Sequence, residues 1–220
     1  MQYRLLIFDL DGTLLNTLED LATAADFALS RAGFPTRSRE EVRHFIGNGV
    51  ARLIQRAVPE GTPDAACQAV LSDYRRYYSS HVNVHTHPYP GIPELLVALR
   101  QAGMRIAVNS NKPDAATQAL CQAHFPGLID LAQGEREGIP KKPDPAGAIG
   151  LMQALDAVPE QTLYIGDGET DLMTAMNAGM DGAWVSWGYR DRSELCGLEI
   201  PRAFDSARAL GDYLLHQKGL

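Results

Sequence analysis

Short apolar runs recur along the chain, each too brief for a helix and each followed by polar residues. Such runs are typical of strands buried on both faces of a parallel sheet. Four runs are regular and a fifth is less so: RLLIF (4–8), MRIAV (104–108), TLYI (162–165), AWVSW (183–187) and LIDLA (128–132). Helical patterns separate them at 93–102, 113–123, 144–155 and 170–178. This alternation predicts the α/β class, with a doubly wound parallel sheet and right-handed crossovers.

The stretch from residue 17 to residue 88 breaks this alternation, because it contains no run of the strand type. Amphipathic helical patterns fill it instead, at 17–32, 39–46, 49–57 and 63–80. We therefore predict an all-helical cap domain at 16–88, inserted into a core domain made of 1–15 and 89–220. The segment THPYPGIP (86–93) marks the return to the core. Both connections leave one edge of the sheet, so we expect the cap to hang over the strand ends.

Composition narrows the classes of function without selecting one. Hydrophobic residues make up 45% of the 220 residues and charged residues 21%, which is ordinary for a soluble globular protein. The net charge of −7 disfavours broad contact with nucleic acid or anionic membranes. No stretch approaches the ~20 apolar residues of a membrane-spanning helix, and Asp9 interrupts the N-terminal apolar run. We expect a cytoplasmic protein that acts on a small metabolite; the sequence leaves its oligomeric state, monomer or dimer, open.

Cysteine and histidine placement indicates no site for zinc or another soft metal. Cys67, Cys121 and Cys196 are odd in number and far apart, which suggests neither a disulfide framework nor a thiolate cluster. Three histidines between residues 81 and 87 lie where the predicted cap ends, without an acidic partner arrangement. We interpret them as surface or hinge residues.

Polar residues follow the predicted strands in the place where open α/β sheets bind ligands, beyond the carboxyl ends. Four segments supply them: DLDGT (9–13), NSNK (109–112), KKPDP (141–145) and GDGETD (166–171). Several carboxylates in one crevice cannot all stay ionised unless a positive charge lies among them. Oxygen donors without His or Cys favour Mg²⁺, which takes one or two carboxylates and shares a phosphate oxygen.

The side chains at this crevice suit a phosphoryl group. Ser110 offers a hydroxyl and Lys142 an ammonium to a tetrahedral dianion. Asp9, at the strand tip, can attack phosphorus and form an aspartyl phosphate. Asp11 can donate a proton to the leaving oxygen and then take one from the attacking water. Plainer roles exist for each residue taken alone: a helix cap for the aspartates, a turn for Ser110 and a surface charge for Lys142.

Together the four motifs resemble the haloacid dehalogenase superfamily of phosphatases in order and spacing. The match consists of D-x-D-G-T (9–13), Ser110 after the second strand, K-P-x-P (142–145) and G-D-x-x-x-D (166–171). Further stretches are similar to those of phosphoglycolate phosphatases: FIGNG (45–49), YPGI (89–92) and SWGYRDRSEL (186–195). The resemblance implies a Rossmann-like core, a helical cap and a Mg²⁺-dependent phosphomonoester phosphatase that works through an aspartyl phosphate.

The resemblance also implies a metal site. Asp9 would be both nucleophile and metal ligand, and Asp11 would be the acid/base that binds metal through its backbone carbonyl. Asp167 would be the third ligand, and Asp171 would hold the metal-bound waters in place. Glu169 could compete with Asp171 for that last role, since it stands two residues earlier in the same motif.

The resemblance assigns phosphate binding and substrate specificity to other residues. Ser110, Lys142 and the backbone amide of Asn111 would bind the phosphoryl oxygens, with Lys141 as the alternative to Lys142. The cap turn Gly47, Asn48 and Gly49 is either a plain turn or a loop that faces the substrate and sets specificity. Three arginines are either substrate-carboxylate contacts or ordinary surface charges: Arg52, Arg56 and Arg190.

The leading function is therefore conversion of 2-phosphoglycolate to glycolate and phosphate. Alternatives within the same chemistry are a phosphatase for another small phosphomonoester, such as a sugar phosphate, or for pyrophosphate. A sugar-phosphate mutase on the same scaffold is a further alternative, as is a non-catalytic phospholigand-binding protein. Cleavage of carbon–halogen bonds is disfavoured, because it has no use for Asp11 or for a magnesium site that includes Asp167.

Overall fold

Six parallel strands form the central sheet of the computed structural model, which describes residues 3–195 and 197–216. The strands, in chain order, are β1 (Leu5–Phe8), β2 (Leu15–Asn16), β3 (His87–Pro88), β4 (Arg105–Pro113), β5 (Leu131–Glu135), β6 (Thr162–Gly166), β7 (Asp181–Val185) and β8 (Ala203–Phe204). The order across the main sheet is β5-β4-β1-β6-β7-β8, and β2 and β3 pair separately. Neighbours in the main sheet are parallel throughout, as the alternating pattern predicted.

The α-helices within the described residues are α1 (Leu18–Arg31), α2 (Arg39–Phe45), α3 (Val50–Ala57), α4 (Asp64–Ser80), α5 (Ile92–Gln101), α6 (Asp114–His124), α7 (Ala146–Ala154), α8 (Glu169–Asn177) and α9 (Ala207–Leu215). The last five of them cover both faces of the sheet. Side chains of β1 alternate between two apolar clusters: Leu6 and Phe8 pack with α5, α6 and α9, while Leu5 and Ile7 pack with α7 and α8. A strand buried on both faces has no polar positions, which explains the unbroken apolar run at its start.

The helices α1 to α4 enclose an apolar cluster of their own, which includes Leu29, Ile54, Val70 and Tyr74. A capping box fixes the start of α2: the Ser38 hydroxyl accepts the amide of Glu41, and the Glu41 carboxylate accepts the amide of Ser38. All four helices were predicted, each within two residues of its observed ends. The domain boundaries at 16 and 88 remain a prediction.

Two short antiparallel strands bring together the segments that lead into and out of these four helices. Leu15 of β2 lies opposite Pro88 of β3, and Asn16 lies opposite His87. The carboxylate of Asp20 in α1 accepts hydrogen bonds from the amides of residues 84, 85 and 86 and from the Thr86 hydroxyl. We call this pair of strands with Asp20 the hinge.

Several strand predictions were displaced. The run MRIAV (104–108) covers only the first part of β4, which continues through the polar residues 109–112 to Pro113. LIDLA (128–132) begins three residues before β5, and AWVSW (183–187) begins two residues after the start of β7, so each run overlaps its strand only in part. Strand β8 and helix α9 were not predicted, nor were β2 and β3. The two-residue strands give no periodicity to detect, because a period of two needs several residues.

Cys67 and Cys121 are buried free thiols, as expected from their spacing, and Cys196 lies outside the described residues. Within residues 3–195 and 197–216, no helix has both the length and the apolar character needed to cross a membrane.

Candidate active site

Three adjacent strands aim their carboxyl ends at one crevice. In the sheet, β1 lies between β4 and β6, so Asp9, Ser110 and Asp167 come from neighbouring strand ends. The amide of Asp9 donates to the carbonyl of Ile165 at 2.9 Å, which continues the pairing of β1 with β6 as far as the first aspartate. The regular sheet therefore fixes where the Asp9 carboxylate stands.

Three buried carboxylates converge there. Asp9, Asp167 and Asp171 each present an oxygen, and these oxygens lie within 4.8 Å of one another. Neighbouring glycines make the approach feasible: a Cβ at Gly166 would come within 2.2 Å of Asp171, and one at Gly12 within 2.4 Å of Asp167. Glycine is required at both positions because backbone and carboxylate pass so closely.

Burial and the closeness of like charges raise the pKa values of two carboxyl groups in this cluster. Burial raises the pKa of Asp9 to about 8, reinforced by Asp171 and Asp167 and opposed by Lys142. Burial, with the charge of Asp171, likewise raises the pKa of Asp167 to about 7, although the Tyr189 amide opposes the shift. The three carboxyl groups cannot all be ionised without a nearby positive charge. Carboxylate oxygens are the ligands that a hard divalent cation prefers, so this cluster fits such an ion.

One lysine faces this cluster and its neighbour does not. The Lys142 ammonium lies 2.8 Å from Asp9 and 2.7 Å from Asp171. Lys141 instead pairs with Glu135 at 2.7 Å and remains half-buried. The structure therefore brings Lys142, not Lys141, to the carboxylates.

The side chain of Asn111 forms hydrogen bonds to the backbone of two other loops. Its amide group donates to the carbonyls of Gly47 and Lys142, both at 3.1 Å, and its carbonyl oxygen accepts the Lys142 amide at 2.8 Å. These bonds hold the Lys142 loop against β4 and connect it to Gly47 of the predicted cap. Ser110 is buried beside it, and its hydroxyl oxygen accepts the amide of Lys112 at 3.2 Å.

Asp11 stands apart from the other three aspartates. Its carboxylate accepts hydrogen bonds from the Lys112 ammonium, at 2.8 and 3.1 Å, and from the Thr17 hydroxyl at 2.7 Å. Lys112 was not among the predicted site residues. No local pattern marks it, because the predicted strand ended at residue 108 and the burial of Lys112 follows from the longer β4.

A cavity of about 270 Å³ opens over these groups. Its walls include all four aspartates of the site, Ser110, Asn111, Lys112 and Lys142. From the predicted cap come the loop 47–49 and Arg56. Arg190 also lines the cavity, whereas Arg52 is exposed and is not part of the lining. Glu169 is an exposed wall residue, while Asp171 is buried in the carboxylate cluster.

The loop after β7 contacts the predicted cap. The Arg190 guanidinium donates to the carbonyls of Arg43, at 2.9 Å, His44, at 3.3 Å, and Ile46. These carbonyls lie at the C-terminal end of α2, where backbone acceptors lack helical partners. Arg43 donates in return to the carbonyl of Tyr189. We call this set of contacts the latch.

Known proteins resemble this chain over most of its length. The family model for haloacid dehalogenase-like hydrolases matches residues 6–185. A phosphoglycolate phosphatase of Vibrio vulnificus (strain YJ016) is 34% identical over 224 residues, 97% of each chain. One from Thiobacillus denitrificans is 35% identical over 201 residues, 88% of each chain. The crystal structure of a candidate phosphoglycolate phosphatase from Lactobacillus delbrueckii subsp. bulgaricus superposes with a TM-score of 0.93 at 33% identity, covering 99% of this chain and 100% of that one. The chain belongs to the haloacid dehalogenase-like hydrolases.

Proposed function

We propose that this protein is a phosphomonoester phosphatase that hydrolyses 2-phosphoglycolate to glycolate and phosphate. The observation that carries the proposal is the convergence of Asp9, Asp167, Asp171 and Lys142 at one small cavity. Relatives that are phosphoglycolate phosphatases align with nearly the whole chain, which supports the choice of substrate.

Asp9 would be the nucleophile. One of its carboxylate oxygens forms a bond to phosphorus while the bond from phosphorus to the glycolate oxygen breaks. Asp11 donates a proton to that departing oxygen, so glycolate leaves as a neutral alcohol group. Water then attacks phosphorus, Asp11 takes a proton from it, and the phosphate released restores the Asp9 carboxylate.

Lys142 and Ser110 would hold the phosphoryl oxygens during both steps. The Lys142 ammonium already lies 2.8 Å from the attacking carboxylate, so it can neutralise charge there. Ser110 and the backbone amide of Asn111 would add hydrogen bonds from β4. Such preorganised donors act strongly in a water-poor site, because the charges need no further reorganisation.

The carboxylate cluster is proposed to bind Mg²⁺. Asp9, Asp167 and the backbone carbonyl of Asp11 would be ligands, and Asp171 would orient coordinated water. The bound ion would supply positive charge against the phosphoryl oxygens. The raised pKa values of Asp9 and Asp167 support this assignment, since a cation would let both carboxyls ionise.

The cavity size supports a small substrate. At about 270 Å³ it lies below the roughly 300–1,000 Å³ of sites for drug-sized ligands. We propose that residues 16–88 form a cap that closes over this cavity, with Gly47, Asn48 and Gly49 facing the carboxylate end of the substrate. Closure would exclude bulk water from the aspartyl phosphate.

A cytoplasmic location is proposed from the cysteines. Cys67 and Cys121 are buried and unpaired, which is the usual state of thiols in reducing compartments. Cell fractionation tests this assignment, and recovery of the protein in an oxidising compartment would contradict it.

The direct test is release of phosphate from a panel of phosphomonoesters in the presence of Mg²⁺, ranked by kcat/KM. The panel holds 2-phosphoglycolate, hexose phosphates and pyrophosphate. We expect 2-phosphoglycolate to rank first and a chelator to abolish its turnover. Preference for a hexose phosphate or pyrophosphate would refute the substrate, and full activity without divalent metal would refute the metal site.

A further inference from the structure

Lys112 is a buried cation that the proposed reaction does not yet use. Its side chain is only 1% exposed, and its ammonium lies 2.8 Å and 3.1 Å from the two oxygens of Asp11. The ammonium also lies 5.0 Å from the centre of the Tyr78 ring. The buried hydroxyls of Tyr74 and Tyr78 make no hydrogen bond within the described residues. Asp11 is thus the carboxylate to which this ammonium is bound.

A second donor fixes the same carboxylate. The Thr17 hydroxyl donates to Asp11 at 2.7 Å, and the Tyr189 hydroxyl lies 3.1 Å from the Thr17 hydroxyl. The Thr17 amide donates to the Tyr189 hydroxyl at 2.8 Å, which holds Tyr189 in place. With donors from Lys112 and Thr17, the Asp11 carboxylate has little freedom to rotate.

Stability alone is a poor explanation for such a pair. Removing two charges from water costs several kcal/mol per ion, and a buried ion pair seldom repays more than this. An apolar pair of similar size would fill the same space at lower cost. The charged pair does fix the orientation of the Asp11 carboxylate, together with the Thr17 hydroxyl, and an apolar pair could not do so.

We propose that Lys112 is a positioning residue for Asp11, and that it aligns the carboxyl group for proton transfer to the leaving oxygen. The proposal rests on the proposed function, in which Asp11 is the acid/base. The Lys112 ammonium contacts Asp11 and lies over the Tyr78 ring. Its effect on the reaction passes through Asp11.

The contacts that hold Asp11 involve residues of both the predicted cap and the predicted core. Thr17 and Tyr78 belong to the predicted cap, whereas Lys112 and Tyr189 belong to the predicted core. The observed hold on Asp11 therefore needs both parts in the arrangement seen here. The Asp11 carboxyl group is therefore held for proton transfer when the cap lies over the site, and it is held less firmly when the cap moves away.

The test compares leaving groups in Lys112→Met. The glycolate oxygen needs a proton to depart, whereas p-nitrophenolate is a stable anion that leaves without one. We expect kcat/KM for 2-phosphoglycolate to fall roughly 10- to 100-fold, the scale of a misaligned general acid, and that for p-nitrophenyl phosphate by less than about 3-fold. Equal losses with both substrates would overturn the proposal.

Three further variants complete the design. Lys112→Arg keeps the charge and should recover part of the loss with 2-phosphoglycolate, which also covers failure of Lys112→Met to fold. Lys141→Met removes the neighbouring lysine paired with Glu135, and its ratio of the two kcat/KM values should match that of the wild type. In an Asp11→Asn background, Lys112→Met should add no selective loss, and an undiminished selective loss there would overturn the proposal.

Failure of the substrate assignment would show separately. A wild-type protein inactive on 2-phosphoglycolate would refute the proposed substrate alone. The same comparison would then use whichever alkyl phosphate the wild type hydrolyses best, set against p-nitrophenyl phosphate. A selective loss on the alkyl phosphate would support the role of Lys112, and its absence would overturn it.

Discussion

Single carboxyl groups in the crevice differ through their surroundings. Asp9 and Asp167 share a buried cluster with Asp171, and burial raises the pKa of both. Asp11 instead lies between the Lys112 ammonium and the Thr17 hydroxyl. Two aspartates that are two residues apart thus meet different environments, which agrees with the separate roles proposed for them.

We expect Asp9→Asn to stabilise the metal-free protein increasingly as pH rises. An aspartate in an unfolded chain titrates near about 4, whereas burial raises the pKa of Asp9 in the folded protein to about 8. Between these values the folded state binds more protons, so wild-type stability falls with rising pH. The variant does not titrate there.

The advantage of the variant in Tm, measured with a chelator present, should grow between pH 4 and pH 8 and then level off. Asp205→Asn, at an exposed position, serves as the control and should show no such trend. An Asp9→Asn advantage that shrinks with rising pH would contradict the charge crowding described here.

Residue chemistry was more predictable than residue contacts. The four motifs led to Asp9, Asp167, Asp171, Ser110 and Lys142, and the structure places all of them around one cavity. The part played by the Asn111 side chain was not foreseeable, because its partners lie 64 and 31 residues away in sequence. Tertiary contacts of this kind leave no local pattern.

At the scale of elements, the hinge joins the cap helices to the sheet. Asp20 carries much of this connection, since its buried carboxylate accepts three backbone amides and one hydroxyl from residues 84–86. The hinge itself could not be predicted, because two-residue strands have no detectable alternation. Helix α9 did carry a signal, with Ala207, Leu210 and Leu214 on one buried face.

Asp20→Asn should lower the free energy of unfolding by roughly 2–4 kcal/mol. The charged acceptor is replaced by a neutral amide oxygen, which accepts weaker hydrogen bonds, and the new side-chain NH₂ group faces backbone N–H donors. Urea unfolding measures the change. Asp73→Asn is the matched control: Asp73 pairs with exposed Arg31 and Arg76, and such pairs contribute less than about 1 kcal/mol. Equal effects of the two substitutions would contradict the role given to Asp20.

At the scale of the whole molecule, the latch holds the predicted cap and core in the arrangement described. Arg190 reaches three carbonyls at the end of α2, and Arg43 reaches back to Tyr189. A planar guanidinium suits several acceptors at once. The motif SWGYRDRSEL pointed to a family but did not reveal that its arginine binds the cap, since the cap position depends on the folded chain.

Loss of the latch should weaken substrate binding. Arg190→Ala removes contacts worth about 1 kcal/mol or more, which lowers the population of the closed state and raises the apparent KM roughly 5- to 10-fold. Arg192→Ala, two residues on and exposed, is the control and should leave KM unchanged. Steady-state kinetics with 2-phosphoglycolate decides the matter, and an unchanged KM in Arg190→Ala would contradict the latch.

The central claim is that Asp9 carries the phosphoryl group, and rapid acid quenching with ³²P-labelled 2-phosphoglycolate tests it most directly. We predict protein-bound ³²P that appears before phosphate release, is removed by hydroxylamine as an acyl phosphate would be, and is absent in Asp9→Asn. Turnover without protein-bound label, together with retained activity in Asp9→Asn, would contradict the account.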